Sequence, residues 1–155
     1  MSEGKRRLLI VYHTQTGHTG RLADAVAAGA RSVEECDTVL LRAFDAGADD
    51  LRHADGLLLG TPENFGYMSG ALKDFFDRTY YAVEGEMAGV PYGVFVSAGN
   101  DGRGAVREIG RIANGYGWRQ VCDAMIVRGE VGEDDLANAR DLGEAMASGL
   151  ALGVF

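Results

Sequence analysis

A chain of 155 residues fits the size of one domain and is long enough to enclose a core. With 46% hydrophobic and 25% charged residues it has the make-up of a folded globular protein, not of a disordered one. A formal charge of -8 sets it against nucleic acid and anionic membrane surfaces, whose phosphates repel an acidic protein.

No apolar run reaches bilayer length, so membrane insertion is not expected. The start, MSEGKRRLLIVYH, is basic and then apolar, but the apolar part is too short for a signal peptide. Two cysteines without paired spacing fit a reducing, cytoplasmic setting.

In chain order, Arg6 to Tyr12 reads as a strand buried on both faces. A hydroxyl-rich turn follows, then a helix with Leu22, Val26, Ala27 and Ala30 on one side. Thr38 to Ala43 is a second strand and Ala46 to Ala54 a brief helix. Asp55 to Thr61 is the third strand, and Pro62 to Ser69 a loop. Leu72, Phe75, Phe76 and Tyr80 then mark a helix face. Pro91 to Ser97 is the fourth strand, followed by a glycine-rich turn from Ala98 to Gly104. The next helix carries Ala105, Ile109, Ile112 and Ala113 on one face, and Gly115 is placed to stop it. Gln120 to Val127 is a fifth strand. Glu133 to Ala151 is a last helix, acidic in its first turn, with Leu136, Ala139, Gly143, Met146 and Leu150 facing inward.

Alternation of strand and helix predicts an α/β sandwich with a parallel sheet. No linker, internal repeat or low-complexity tract interrupts it, so residues 1–155 read as a single domain. The loops after the first, third and fourth strands share the sheet edge where open parallel sheets bind ligands.

The first loop is Thr14-Gln15-Thr16-Gly17-His18-Thr19. A helix start leaves backbone N–H groups unpartnered and partly positive. Three threonine hydroxyls around a glycine add donors there, and the natural guest is a phosphate monoester. Simple capping by one threonine is the competing reading. The second loop, Thr61-Pro62-Glu63-Asn64-Phe65-Gly66-Tyr67-Met68-Ser69-Gly70, mixes an aromatic with backbone donors and glycines. The third, Ser97-Ala98-Gly99-Asn100-Asp101-Gly102-Arg103, is small and polar and could meet the edge of a flat ring. Together they describe a site for a mononucleotide with a large planar base.

These residues carry a resemblance. The first loop resembles the phosphate loop of the flavodoxin family, Thr/Ser-x-Thr-Gly-x-Thr, at every specified position. Gly60 to Arg78, GTPENFGYMSGALKDFFDR, is similar to the second signature of flavodoxin-like FMN reductases and quinone reductases. The resemblance implies a flavodoxin-like three-layer sandwich with a five-stranded parallel sheet of order 2-1-3-4-5 and non-covalently bound FMN. It implies the phosphate on Thr14, Gln15, Thr16, Gly17, His18 and Thr19. The ring would lie against Thr61, Pro62, Glu63, Asn64, Phe65 and Gly66, bordered by Ser97, Ala98, Gly99 and Gly102. Flavodoxins that carry electrons usually shield the ring with an aromatic from each of the last two loops, and Ala98 to Arg103 has none. One ring face is then open, as hydride transfer from a nicotinamide requires.

Two functions remain in view. One is an FMN-dependent oxidoreductase that takes a hydride from NAD(P)H and passes electrons to a quinone or other small acceptor. The other is an electron-transfer protein whose acidic surface docks redox partner proteins. The flavin would carry the chemistry, so no side chain is assigned as a catalytic acid or base. Three scattered histidines and two distant cysteines supply no metal site.

Some residues keep two readings. Phe65 either stacks on the flavin or fills the gap beneath its loop. Glu63 either makes the ring environment negative or is a solvated charge. Arg103 either attracts a cofactor phosphate or is a solvated charge at a helix start. Tyr67 and Met68 face the ligand or a partner subunit, which leaves a homodimer open. Cys36 and Cys122 fall at opposite sheet edges, roughly 19 Å apart at about 4.8 Å per strand step, so both thiols should be free.

Overall fold

The computed structural model describes residues 4–155. The first three residues of the basic start lie outside them, and with them part of the signal-peptide reading. In chain order the elements are β1 (Arg6–Tyr12), α1 (His18–Arg31), β2 (Cys36–Arg42), α2 (Ala48–Arg52), β3 (Gly56–Pro62) and α3 (Gly70–Val83). They continue with β4 (Pro91–Ala98), α4 (Arg103–Tyr116), β5 (Arg119–Gln120), β6 (Met125–Arg128) and α5 (Glu133–Leu152).

Leu8, Ile10 and Tyr12 of β1 pack on one side of the sheet, and Leu9 and Val11 on the other. That is the two-residue alternation of a strand covered on both faces. Helices α1 and α5 cover the first face; α2, α3 and α4 cover the second. Phe75 and Phe76 of α3 are fully buried in the second layer, where Trp118 and Tyr116 stack with ring centres 4.2 Å apart. Every pairing in the sheet is parallel, in the order β2-β1-β3-β4-β5. This is the expected topology.

The fifth position differs from the expected single run of Gln120 to Val127. It is filled by two short segments in line: β5 pairs Arg119 with Pro91, and β6 pairs Met125 with Phe95. Val121 still donates its N–H to the Tyr92 carbonyl at 3.1 Å, and residues 122–124 then leave the ladder. The thiol of Cys122 lies over Gly93, 2.7 Å from where a Cβ would stand. The sheet therefore has six strands by segment. Helix α4 also runs past Gly115 to Tyr116 and stops at Gly117, whose φ of 85° is the left-handed turn that ends a helix.

Helices α1 and α5 meet backbone to backbone. A Cβ on Gly29 would stand 1.9 Å from the Arg140 carbonyl oxygen, and one on Gly143 1.9 Å from that of Val26. Both cysteines are free thiols, as the edge-to-edge placement required. Parallel strands turn all their C-terminal ends to one side. The loops after β1, β3, β4 and β6 therefore share one rim.

Candidate functional site

A cleft of about 410 Å³ opens at that rim, within the range of small-molecule sites. Its wall combines Gln15, Thr16 and His18 from the first loop with Pro62, Glu63 and Asn64 from the second. Ser97, Ala98 and Gly99 line it from the end of β4. Sequence reasoning missed Gly129 and Glu130, which close it from the turn after β6. Their signal was topological: they follow a parallel strand and so had to reach this rim.

The three threonines of the first loop do different jobs. Thr16 is exposed at the cleft, whereas Thr19 is buried. Its Oγ1 lies 2.7 Å from the Ser97 hydroxyl, linking α1 to β4. Thr14 turns inward, and its Oγ1 accepts the N–H groups of Gly17 (3.2 Å) and Gly20 (3.0 Å). Gly17 opens α1 with φ 98° and offers no side-chain cap, and no acidic residue stands in the first turn. The positive end of α1 thus meets the cleft with no carboxylate of its own first turn and none bonded to its N–H groups; the Glu130 carboxylate reaches the His18 ring instead.

His18 points across the cleft mouth, with Nε2 3.7 Å from a Glu130 carboxylate oxygen. His13 does not line the cleft. It sits edge-on to Phe44 at 5.9 Å, and burial, aided by the Arg42 charge, lowers its pKa below the usual histidine value. His53 is exposed and bonds the Asp49 carbonyl.

In the second loop, Thr61 is fully buried at the end of β3, where its hydroxyl accepts the Ser69 N–H at 2.9 Å. Ser69 in turn accepts the Leu72 N–H and caps α3. Asn64 and Tyr67 exchange backbone bonds around the tight turn of Phe65 and Gly66. Asn64 Nδ2 donates to Gln15 Oε1 at 2.6 Å and ties the first two loops together. Phe65 does not fill a gap beneath the loop: it is 108% exposed, with φ 53°. Met68 is buried and Tyr67 packs against the same core layer, so Met68 faces neither a ligand nor a partner.

Glu63 is half-buried and is not a free surface charge. Its carboxylate accepts the N–H groups of Gly102, Gly104 and Ala105, and caps α4. Gly102 is buried behind that cap. Arg103 is exposed and forked onto Asp101, with Nε to Oδ1 at 2.7 Å. Among the described residues no group of histidine, cysteine, aspartate or glutamate could hold a metal.

The donor set suits FMN. A helix start without its own carboxylate stands at one end, for a phosphate. A wall of small residues at Ser97, Ala98 and Gly99 stands at the other, for a ring edge.

The architecture is that of flavodoxins. An archaeal flavodoxin superposes with a TM-score of 0.81 over 93% of this chain and 98% of that one, at 22% identity. Flavodoxin 1 of Bacillus cereus gives 0.80 over 92% and 97%, at 20% identity. Within that architecture residues 35–128 match the model of the NADPH-dependent FMN reductase family, and the chain belongs to this family. Among curated relatives, a flavodoxin of Aquifex aeolicus is 39% identical over 98 residues, 63% of this chain and 53% of that protein. An NAD(P)H dehydrogenase (quinone) of Acidithiobacillus ferrooxidans is 36% identical over 112 residues, 59% of this chain and 56% of that protein. The chain thus spans about half the length of the curated relatives it matches.

Proposed function

We infer that the chain binds FMN in this cleft and works as an oxidoreductase, passing electrons from NAD(P)H to a quinone or another small acceptor. The observation that carries the reading is the convergence of three loops on one cleft, with the start of α1, free of acidic residues in its first turn, at one end. FMN, when bound, would accept a hydride and release electrons to the acceptor.

The residues of the chain bind and orient. The backbone at Thr16 to Thr19 and the hydroxyl of Thr16 receive the phosphate, with Gln15 and His18 at its margin. Pro62, Glu63 and Asn64 form one wall, Ser97, Ala98 and Gly99 the other, and Phe65 stands free to stack. Thr14, Gly17, Thr19, Thr61, Gly66 and Gly102 hold the loops from behind. The 99–102 turn brings no aromatic over the cleft, which leaves a face for a nicotinamide.

Electron carriage between proteins is the second reading, favoured by the charge of -8 and by the similarity to the Aquifex flavodoxin. The visible spectrum of the purified protein tests both. Flavin bands, with FMN recovered on denaturation, are expected; a protein that stays colourless with added FMN defeats both. Anaerobic NADPH then separates them: bleaching of the bands marks the enzyme, and unchanged bands mark the carrier.

A further inference from the structure

Two helices of this fold start in the same unusual way. Gly17 precedes α1 with φ 98° and Gly102 precedes α4 with φ 90°, and neither offers a side-chain cap. Both starts lie on the same rim. Each gathers backbone N–H groups onto one side-chain acceptor. At α1 the acceptor is the neutral Oγ1 of Thr14, for Gly17 and Gly20. At α4 it is the carboxylate of Glu63, reaching over from the second loop. Glu63 Oε1 takes the Gly102 N–H at 2.9 Å, and Oε2 those of Gly104 at 3.0 Å and Ala105 at 3.3 Å.

The carboxylate is held from behind as well. The Glu63 backbone N–H donates to the Ser97 carbonyl at 2.9 Å. Gly104 lies so close to the turn that a Cβ would stand 2.1 Å from the Gly66 carbonyl oxygen. Arg103, the first cation of α4, is committed to Asp101, which Arg128 also approaches at 4.0 Å. Neither arginine draws Glu63 away from the backbone.

We propose that Glu63 is a positioning residue that fills the anion-binding start of α4 with the protein's own carboxylate, so that a phosphate seats at the start of α1 alone. A helix start binds a carboxylate and a phosphate with the same N–H groups. With two comparable starts on one rim, an anionic ligand has two places to put its phosphate. Occupying one internally removes the ambiguity. The same three bonds fix the second loop against α4 and set the width of the cleft. Only the link from phosphate to flavin rests on the proposed function; the occupancy of α4 does not.

The test is amide-resolved NMR of the whole chain without flavin, titrated with inorganic phosphate, followed by FMN titration. In the wild type, phosphate should shift the amides of Thr16 to Thr19 and leave Gly102, Gly104 and Ala105 unmoved. In Glu63→Ala those three amides should respond as well, and the FMN dissociation constant should rise at least tenfold. Glu63→Gln keeps the size, loses the charge and turns an NH2 toward one donor. It should show a partial gain of phosphate response and decides the matter if the alanine variant does not fold. Equal responses of Gly102 in wild type and variants, no gain in either variant, or a wild type silent at Thr16 to Thr19 would overturn the assignment. If the titration behaves as expected but no FMN is taken up, the flavin reading falls and the role of Glu63 stands.

Discussion

Phe65 carries the clearest tension at the level of single residues. A bulky side chain with φ 53° is strained, and this one gains no burial in return. Stacking on a flavin would give the ring its purpose. Phe65→Ala should therefore weaken FMN binding about tenfold, about 1.4 kcal/mol, with little change in the stability of the flavin-free protein. Phe65→Gly should weaken FMN equally yet raise that stability by about 1 kcal/mol, because the backbone is relieved. Equilibrium titration and urea unfolding separate the two effects, and unchanged FMN affinity in both variants would rule out stacking. Tyr116 titrates in the core. Burial pushes its pKa up to about 12, against the bond to Thr79, and its hydroxyl donates to the Phe76 carbonyl at 2.8 Å. An unfolded tyrosine ionises near 10, so the folded state keeps its proton longer. The resulting stability is complete below about pH 10 and drains away as pH rises toward 12, by about 2 kcal/mol. Unfolding of wild type and Tyr116→Phe should converge over that window; a constant gap would mean the phenol titrates normally. Residue types in the loops were legible in the sequence, but their directions were not. Nothing in the local pattern around Glu63 shows that the N–H donors to its carboxylate lie at Gly102, Gly104 and Ala105, because the partnership is made only when β3 and β4 pair.

Whole elements were easier to read. Strand β1 announced itself by a run of apolar residues, and α1 by Leu22, Val26, Ala27 and Ala30, all buried. The errors fell where tertiary contact decides. Gly115 stands close to Tyr80 with its helix unbroken, and the stop passes to Gly117, where the left-handed backbone is available. The fifth strand splits because Cys122 sits against Gly93, a match across the sheet that no window of sequence contains. The α1–α5 contact gives the sharpest expectation at this scale. In an isolated helix Gly143→Ala would stabilise by about 1 kcal/mol. Here the added methyl meets the Val26 carbonyl, so the variant should lose about 1–3 kcal/mol. Chemical denaturation checks the sign, and a gain in stability would mean the two backbones are not in contact.

For the molecule as a whole, charge and ligand have the same sign. A protein of net charge -8 repels a phosphate-bearing ligand at long range, although the start of α1 attracts it at short range. The association rate of FMN should therefore rise with added salt at low ionic strength, where screening matters most. Stopped-flow fluorescence measures it, and a rate that falls with salt would place a basic approach path at the cleft. The order of elements along the chain has its own effect on how the molecule is made. Helix α1 leaves the ribosome well before α5, whose Ala139, Met146 and Leu150 complete the face that α1 covers. Until α5 arrives, the side of α1 that will meet it at Gly29 stays uncovered, a stripe next to the future ligand site that a chaperone can hold.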